Sequence, residues 1–276
     1  MSQATRCLSM AAIQQPESSL GTAMTRSLEG RSILITGGGA GIGRSTAMTL
    51  AQAGANICVT DIDLVAAEET AQLISQAGSR VIALRVDVTD ESAVIDTVDR
   101  TVREFSRLDG AFNNAGIRGV VAGAHEMSLD DFLAVMRVNV ISVFLCQREE
   151  LRAMYRNGGG SIVNMSSILG QLASVGAVQY TTSKHAVIGL TRNAALEAAP
   201  RGVRVNAVAP GTIETPLNVA LAGSMEAARD RWASAYPIGR LGQPQEIADV
   251  VSWLLGPHAS FVTGQVIYAE GGMMLR

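Results

Sequence analysis

The chain has little of what disulfide frameworks, metal sites or membrane spans are made from. Its three cysteines, Cys7, Cys58 and Cys146, stand far apart with no C-x-x-C pair, and its three histidines do not complete a ligand set. Reduced thiols in a cytoplasmic protein, without a metal, are the expectation. No apolar run approaches the roughly 18 residues of a transmembrane helix, so no membrane association is expected. An excess of positive charge is missing too: 22 Lys and Arg stand against 25 Asp and Glu, a net charge of -3. That leaves no basic field for nucleic acid or an anionic lipid surface. What is present is 276 residues, 47% of them hydrophobic, enough to bury one sizeable core.

Residues 1–23 are rich in Ser, Gln and Thr and carry no sustained strand or helix period, and 1–27 is expected to be a disordered tail before a single domain over 28–276. The apolar stretch from Cys7 to Ile13 is too short for a signal peptide, whereas Arg6 and the scarcity of acids leave a transit peptide open. Met24 offers a second translation start.

From Arg31 onward, short β-branched runs alternate with helix-length segments. Strands are expected at Ser32–Thr36, Asn56–Thr60, Val81–Val86, Gly110–Phe112, Ser161–Met165, Val203–Ala207 and Gly264–Tyr268. Helices are expected at Ser45–Ala53, Leu64–Gln76, Ser92–Phe105, Asp130–Met154 and Ala186–Ala199. The strands lack polar alternation, as strands buried on both faces do, so the fold class is α/β with a doubly wound parallel sheet flanked by helices.

Between the first strand and the first helix lies Thr36-Gly37-Gly38-Gly39-Ala40-Gly41-Ile42-Gly43. Glycines let a backbone approach a pyrophosphate, and a helix N-terminus supplies N–H groups and a positive dipole end. The spacing is G-x-x-x-G-x-G at Gly37, Gly41 and Gly43, with Ile42 between; a P-loop fails because Arg44 stands where its lysine belongs. Such a turn also serves as a plain connector. Asp61 ends the second strand 18 residues beyond Gly43, near the roughly 20 expected of a ribose-binding acid. It reads either as the partner of the adenosine hydroxyls of NAD, repelling the 2′-phosphate of NADP, or as a helix cap, a task Asp63 could equally perform.

Tyr180 and Lys184 lie four residues apart, on one face of a helix. A phenol with its ordinary pKa of about 10 is a poor base near neutrality, and a neighbouring ammonium lowers it. Alone, Y-x-x-x-K is a weak signal.

Together these pieces make the chain resemble the short-chain dehydrogenase/reductase family over nearly all of residues 28–276. T-G-x-x-x-G-I-G is residues 36–43, the Asp-Val beside the adenine is Asp87-Val88, and N-N-A-G is Asn113-Asn114-Ala115-Gly116. The helix asparagine is Asn139, the serine 13 positions before the tyrosine is Ser167 rather than Ser166, and Pro210-Gly211 leads into Thr212-Ile213-Glu214-Thr215. The resemblance implies a Rossmann-type fold and the catalytic set Asn139, Ser167, Tyr180 and Lys184. Tyr180 would transfer the proton, Ser167 would stabilise charge on the substrate oxygen, Lys184 would bind the nicotinamide ribose and lower the Tyr180 pKa, and Asn139 would hold a relay water. Gly37, Gly41, Ile42, Gly43, Asp61, Asp87, Val88, Asn114, Ala115 and Gly116 would hold the cofactor, with Tyr180, Lys184, Ile213 and Thr215 at its nicotinamide end. It also implies a homotetramer.

The resulting expectation is an NAD-dependent enzyme that passes hydride between the cofactor and a secondary alcohol or ketone. The rivals are an NADP-dependent ketoreductase and a non-catalytic nucleotide-binding regulator. Leu169, Leu172, Val175, Val178, Leu217, Val219 and Leu221 suggest an apolar pocket for a medium-sized alicyclic, aromatic or steroid-like substrate. Residues 217–236 read as a substrate lid or as an ordinary amphipathic helix. His125 and His185 are not needed by this chemistry, and Arg118 reads either as a solvated loop residue or as a partner for a substrate anion.

Overall fold

The computed structural model describes residues 27–275; the expected tail and the Met24 start lie essentially outside them. The β-branched runs form one seven-stranded parallel sheet: β1 (Ser32–Thr36), β2 (Asn56–Asp61), β3 (Val81–Arg85), β4 (Gly110–Asn113), β5 (Gly160–Met165), β6 (Val203–Pro210) and β7 (Val266–Ala269). Their order is β3-β2-β1-β4-β5-β6-β7, so the chain winds outward from β1 in one direction and returns to β4 for the other. That reversal opens a crevice at the carboxyl ends of the strands, where ligands bind in open α/β sheets.

The helices are α1 (Gly41–Gln52), α2 (Leu64–Gln76), α3 (Glu91–Phe105), α4 (Leu129–Met136), α5 (Ser142–Asn157), α6 (Val178–Ala198), α7 (Pro216–Ala222), α8 (Met225–Trp232) and α9 (Pro244–Leu255). They cover both faces, which is why the strands carry no polar side. Ile33, Ile35, Ile57 and Val59 pack with Leu50 and Val251 in one core, while Leu34, Cys58, Ala111 and Ile162 pack with Val98 and Met154 in the other. Each fully buried Leu or Ile contributes about 1.5–3 kcal/mol. Cys58 and Cys146 are free and buried, and Cys7 lies outside the described residues.

Several boundaries differ from the sequence reading. β7 begins at Val266 because Gly264 has φ +73°, a left-handed conformation that an extended strand does not contain. The expected helix Asp130–Met154 is interrupted by a π-helical turn at Arg137–Ile141, a kind of bulge often found at functional sites. Asn139 sits in that turn, fully buried. The helix expected to carry Tyr180 and Lys184 and the one expected over Ala186–Ala199 are a single helix that starts at Val178, with Tyr180 and Lys184 in its first two turns.

Candidate active site

Thr36, at the end of β1, ties the glycine turn to β4: its Oγ1 accepts from the backbone N–H groups of Asn114 (3.0 Å) and Ala115 (3.1 Å). The Asn114 amide donates back to the carbonyls of Thr36 and Gly37, so Asn114 braces the turn. Gly37 takes φ +62°. A Cβ on Gly43 would lie 2.0 Å from the Gly37 carbonyl oxygen; Gly43 therefore lets α1 press against the turn and does not itself line the cleft. Ala40, which precedes α1, offers no side-chain cap, whereas Asp63, Asp90 and Ser128 cap α2, α3 and α4. The first N–H groups of α1 are thus left for an anionic group at Ala40, Gly41 and Ile42, all on the cleft wall. These features fit the pyrophosphate of a dinucleotide.

Asp61 accepts from the Gly39 N–H at 2.9 Å and from the Asp63 N–H at 3.1 Å. The cap of α2 is Asp63, which accepts from Val65 and Ala66, so Asp61 is not the helix cap and faces the cleft instead. Arg44, the cation the sequence placed within reach, is drawn away to Glu69 (2.9 Å) and the Thr70 hydroxyl (3.0 Å). Arg85, not anticipated, is the register partner of Asp61 on β3. Asp87 accepts from both the N–H and the hydroxyl of Thr89, and with Val88 it forms the next stretch of wall, continued by Asn114, Ala115 and Gly116.

Ser167, Tyr180 and Lys184 converge on the middle of the same cleft, a cavity of about 600 Å³. The neighbouring serines separate cleanly: Ser166 turns inward and donates to the Lys184 carbonyl, while Ser167 caps a short 3₁₀ turn by accepting from the Leu169 N–H. Lys184 is the sole lysine of the chain. Its ammonium is buried, donates to the Met165 carbonyl at 2.9 Å and lies 5.4 Å from the centre of the Tyr180 ring. Burial lowers its pKa to about 8. Desolvation raises the Tyr180 phenol, and the Arg118 charge and then the Ser167 hydroxyl draw it back down. The Arg118 guanidinium, 5.1 Å from the ring centre, is thus a second cation beside the phenol, in addition to Lys184.

The Asn139 amide donates to the Ile117 carbonyl (2.8 Å) and to the Ser183 hydroxyl (3.0 Å), and its oxygen accepts from the Ile117 N–H (2.8 Å). Its side chain does not line the cleft. It fixes the loop after β4, where Gly116 lies close against it: a Cβ there would meet Asn139 Oδ1 at 3.2 Å.

At the substrate end, Leu169, Leu172, Leu217 and Leu221 line the cleft as expected. Val175, Val178 and Val219 do not: Val175 is fully exposed on a loop tip, and composition alone does not say which way a loop side chain turns. Trp232 and Tyr236, both within the 217–236 stretch, complete the wall together with Met273, which the sequence did not single out. The Tyr236 hydroxyl donates to Thr212 Oγ1 and accepts from the Thr212 N–H, both at 2.7 Å, anchoring the segment after β6. Ile213 and Thr215 face the cleft on that segment, and Asn218 donates to the Ile213 carbonyl at 2.7 Å. Glu214 holds α8 through a bidentate pair with Arg229, both contacts 2.6 Å, a pairing that lowers the Glu214 pKa to about 2.

Residues 37–274 match a family model described as enoyl-(acyl carrier protein) reductase. Over 246 residues, 89% of this chain and 97% of the relative, the sequence is 40% identical to 2,5-dichloro-2,5-cyclohexadiene-1,4-diol dehydrogenase of Sphingobium indicum. It is 41% identical to cyclohexanol dehydrogenase of Acinetobacter sp. over 90% of this chain and 96% of that one. The crystal structure of levodione reductase superposes with a TM-score of 0.86 at 36% identity, covering 90% of this chain and 99% of the other. By these matches the chain belongs to the short-chain dehydrogenase/reductase family, which works with NAD or NADP, and it is an oxidoreductase of the alcohol dehydrogenase and ketone reductase type.

Proposed function

We propose that the protein catalyses NAD-linked interconversion of a secondary alcohol and a ketone on an alicyclic ring. The observation that carries this reading is the convergence of Ser167, Tyr180 and Lys184 on one cleft with the uncapped start of α1. A bound nicotinamide ring supplies the hydride acceptor or donor. Tyr180 takes the proton from the alcohol oxygen, or returns it to the ketone oxygen, and Ser167 donates a hydrogen bond to that oxygen as charge develops there. Lys184, a buried cation two turns into the site, favours phenolate and binds the nicotinamide ribose. Asn139 positions the loop that carries Ile117 and Gly116, with a relay water as its expected further contribution. Ile213 and Thr215 hold the carboxamide.

The ring preference draws on the apolar walls and on relatives named for cyclohexanol and cyclohexadiene-diol substrates. Asp61 supports NAD, since its carboxylate meets ribose hydroxyls favourably and a 2′-phosphate with like charge. The second reading, an NADP-dependent ketoreductase, has one observation in its favour, the position of Arg85 beside Asp61. A lid over 217–236, tethered by Glu214 and Arg229, and a homotetramer belong to the same proposal; exposed Ile141 and Phe144 support association. The test is NADH formation across a panel of cyclic secondary alcohols. Oxidation of cyclohexanol-like compounds is expected, and no turnover of any of them with either cofactor would overturn the reading.

A further inference from the structure

We propose that Arg118 is an anion-binding arm of the substrate site, so that the preferred substrates carry a carboxylate on the ring that bears the secondary alcohol. This rests on the alicyclic alcohol reading above and narrows it. Arg118 lines the cleft two residues after Gly116, with its guanidinium carbon 5.1 Å from the centre of the Tyr180 ring. Among the described residues no carboxylate pairs with it, and its Nε is buried without a hydrogen-bond partner. Arg44, by contrast, is consumed by Glu69 and Thr70.

The arm is held in place. The amide of Gln179, itself fully buried, donates to the backbone carbonyls of Arg118 and Val120. Gly119 turns the chain at φ +75°, where a Cβ would come within 2.5 Å of Val135. A solvated loop arginine needs no such bracing.

The charge around it is unbalanced. The acidic side chains of the cleft wall are Asp61 and Asp87, both at the β2 and β3 edge of the sheet, and Lys184 already donates to Met165. The substrate end therefore holds a guanidinium with unused N–H groups among apolar walls such as Leu169, Leu172 and Trp232. Polar groups half withdrawn from water without a partner are costly, and a planar guanidinium matches a carboxylate with two parallel hydrogen bonds. The short separation from the Tyr180 ring puts the carboxylate and the reacting carbinol within one small ring molecule.

The test compares 3- and 4-hydroxycyclohexanecarboxylate with their methyl esters, which keep the ring and the carbinol and lose the charge. Wild type should favour the acids in kcat/KM by roughly 10- to 100-fold, the range spanned by a hydrogen bond to a charged group. The advantage should lie mainly in KM and shrink as ionic strength rises. In Arg118→Gln the ratio of acid to ester should fall to near one, and Arg118→Lys should retain part of it. Two results overturn the proposal: wild type handling acid and ester alike, or Arg118→Gln slowing both by the same factor, which would confine Arg118 to acting on the Tyr180 phenol. In either case, continued oxidation of the esters or of cyclohexanol leaves the parent reading intact, whereas no oxidation of any of these alcohols is the failure of that reading.

Discussion

Replacing Glu150 with glutamine should make the protein more resistant to alkaline conditions. Glu150 lies on α5 with no solvent exposure and forms no ion pair among the described residues. Its Oε2 accepts from the Asn113 amide at 3.0 Å, and that amide also donates to Asn164 Oδ1. Glu150 Oε1 and Asn113 Oδ1 both lack a partner, so the pair holds acceptors and is short of a donor. A proton on Glu150 supplies one, and burial pushes its pKa from 4.5 up to about 8. Between those values the unfolded chain releases this proton and the folded chain keeps it. The stability contributed by the neutral acid is thus complete below pH 4.5 and is lost as pH rises towards 8, at about 1.4 kcal/mol per unit. Glutamine reproduces the donor and the acceptor without titrating. Urea denaturation at fixed protein concentration should therefore find wild type and Glu150→Gln of similar stability at pH 5. At pH 8 the variant should be ahead by an amount on the order of 3–4 kcal/mol. A variant that is less stable at pH 8, or a gap that does not change with pH, would refute the neutral buried acid.

Asp61→Ala should weaken NAD use and raise relative NADP use, whereas wild type should favour NAD by about 10²-fold in kcat/KM; wild-type kinetics that treat the cofactors equally would count against the role given to Asp61. Gly43→Ala should abolish cofactor binding or folding, because its Cβ would collide with the Gly37 carbonyl at 2.0 Å; normal NADH fluorescence titration of a folded variant would contradict the packing described for α1. A chain beginning at Met24 should keep its thermal midpoint and activity, since residues 1–23 offer no patterned apolar face; a large loss of either would show that the segment is docked.

Much of the fold could be read because runs such as Ile33-Leu34-Ile35 and Ile57-Cys58-Val59 are short, β-branched and apolar on both sides and alternate with helix-length segments, the pattern of a sheet covered on both faces. Motif spacing likewise picked out residues that lie on one cleft, from Gly37 through Ser167 and Tyr180 to Thr215. What escaped depends on geometry that spacing does not carry. Arg85 meets Asp61 through strand register, and Arg118 stacks on Tyr180 across 62 positions of sequence. The π turn at Asn139 is hidden because one extra residue in a helical turn leaves an apolar pattern nearly unchanged. Tyr236, the last residue of the 217–236 stretch, bonds Thr212, 24 residues earlier, a partner that no local pattern marks.

The central claim, that Tyr180 exchanges the proton while the rest of the site binds, is tested most directly by steady-state kinetics of Tyr180→Phe with NAD and a cyclic secondary alcohol, alongside NADH binding. The ring is kept and only the hydroxyl is lost, so turnover should fall by ~10²-fold or more with NADH affinity nearly unchanged. Turnover close to that of wild type, with NADH still bound, would contradict the account.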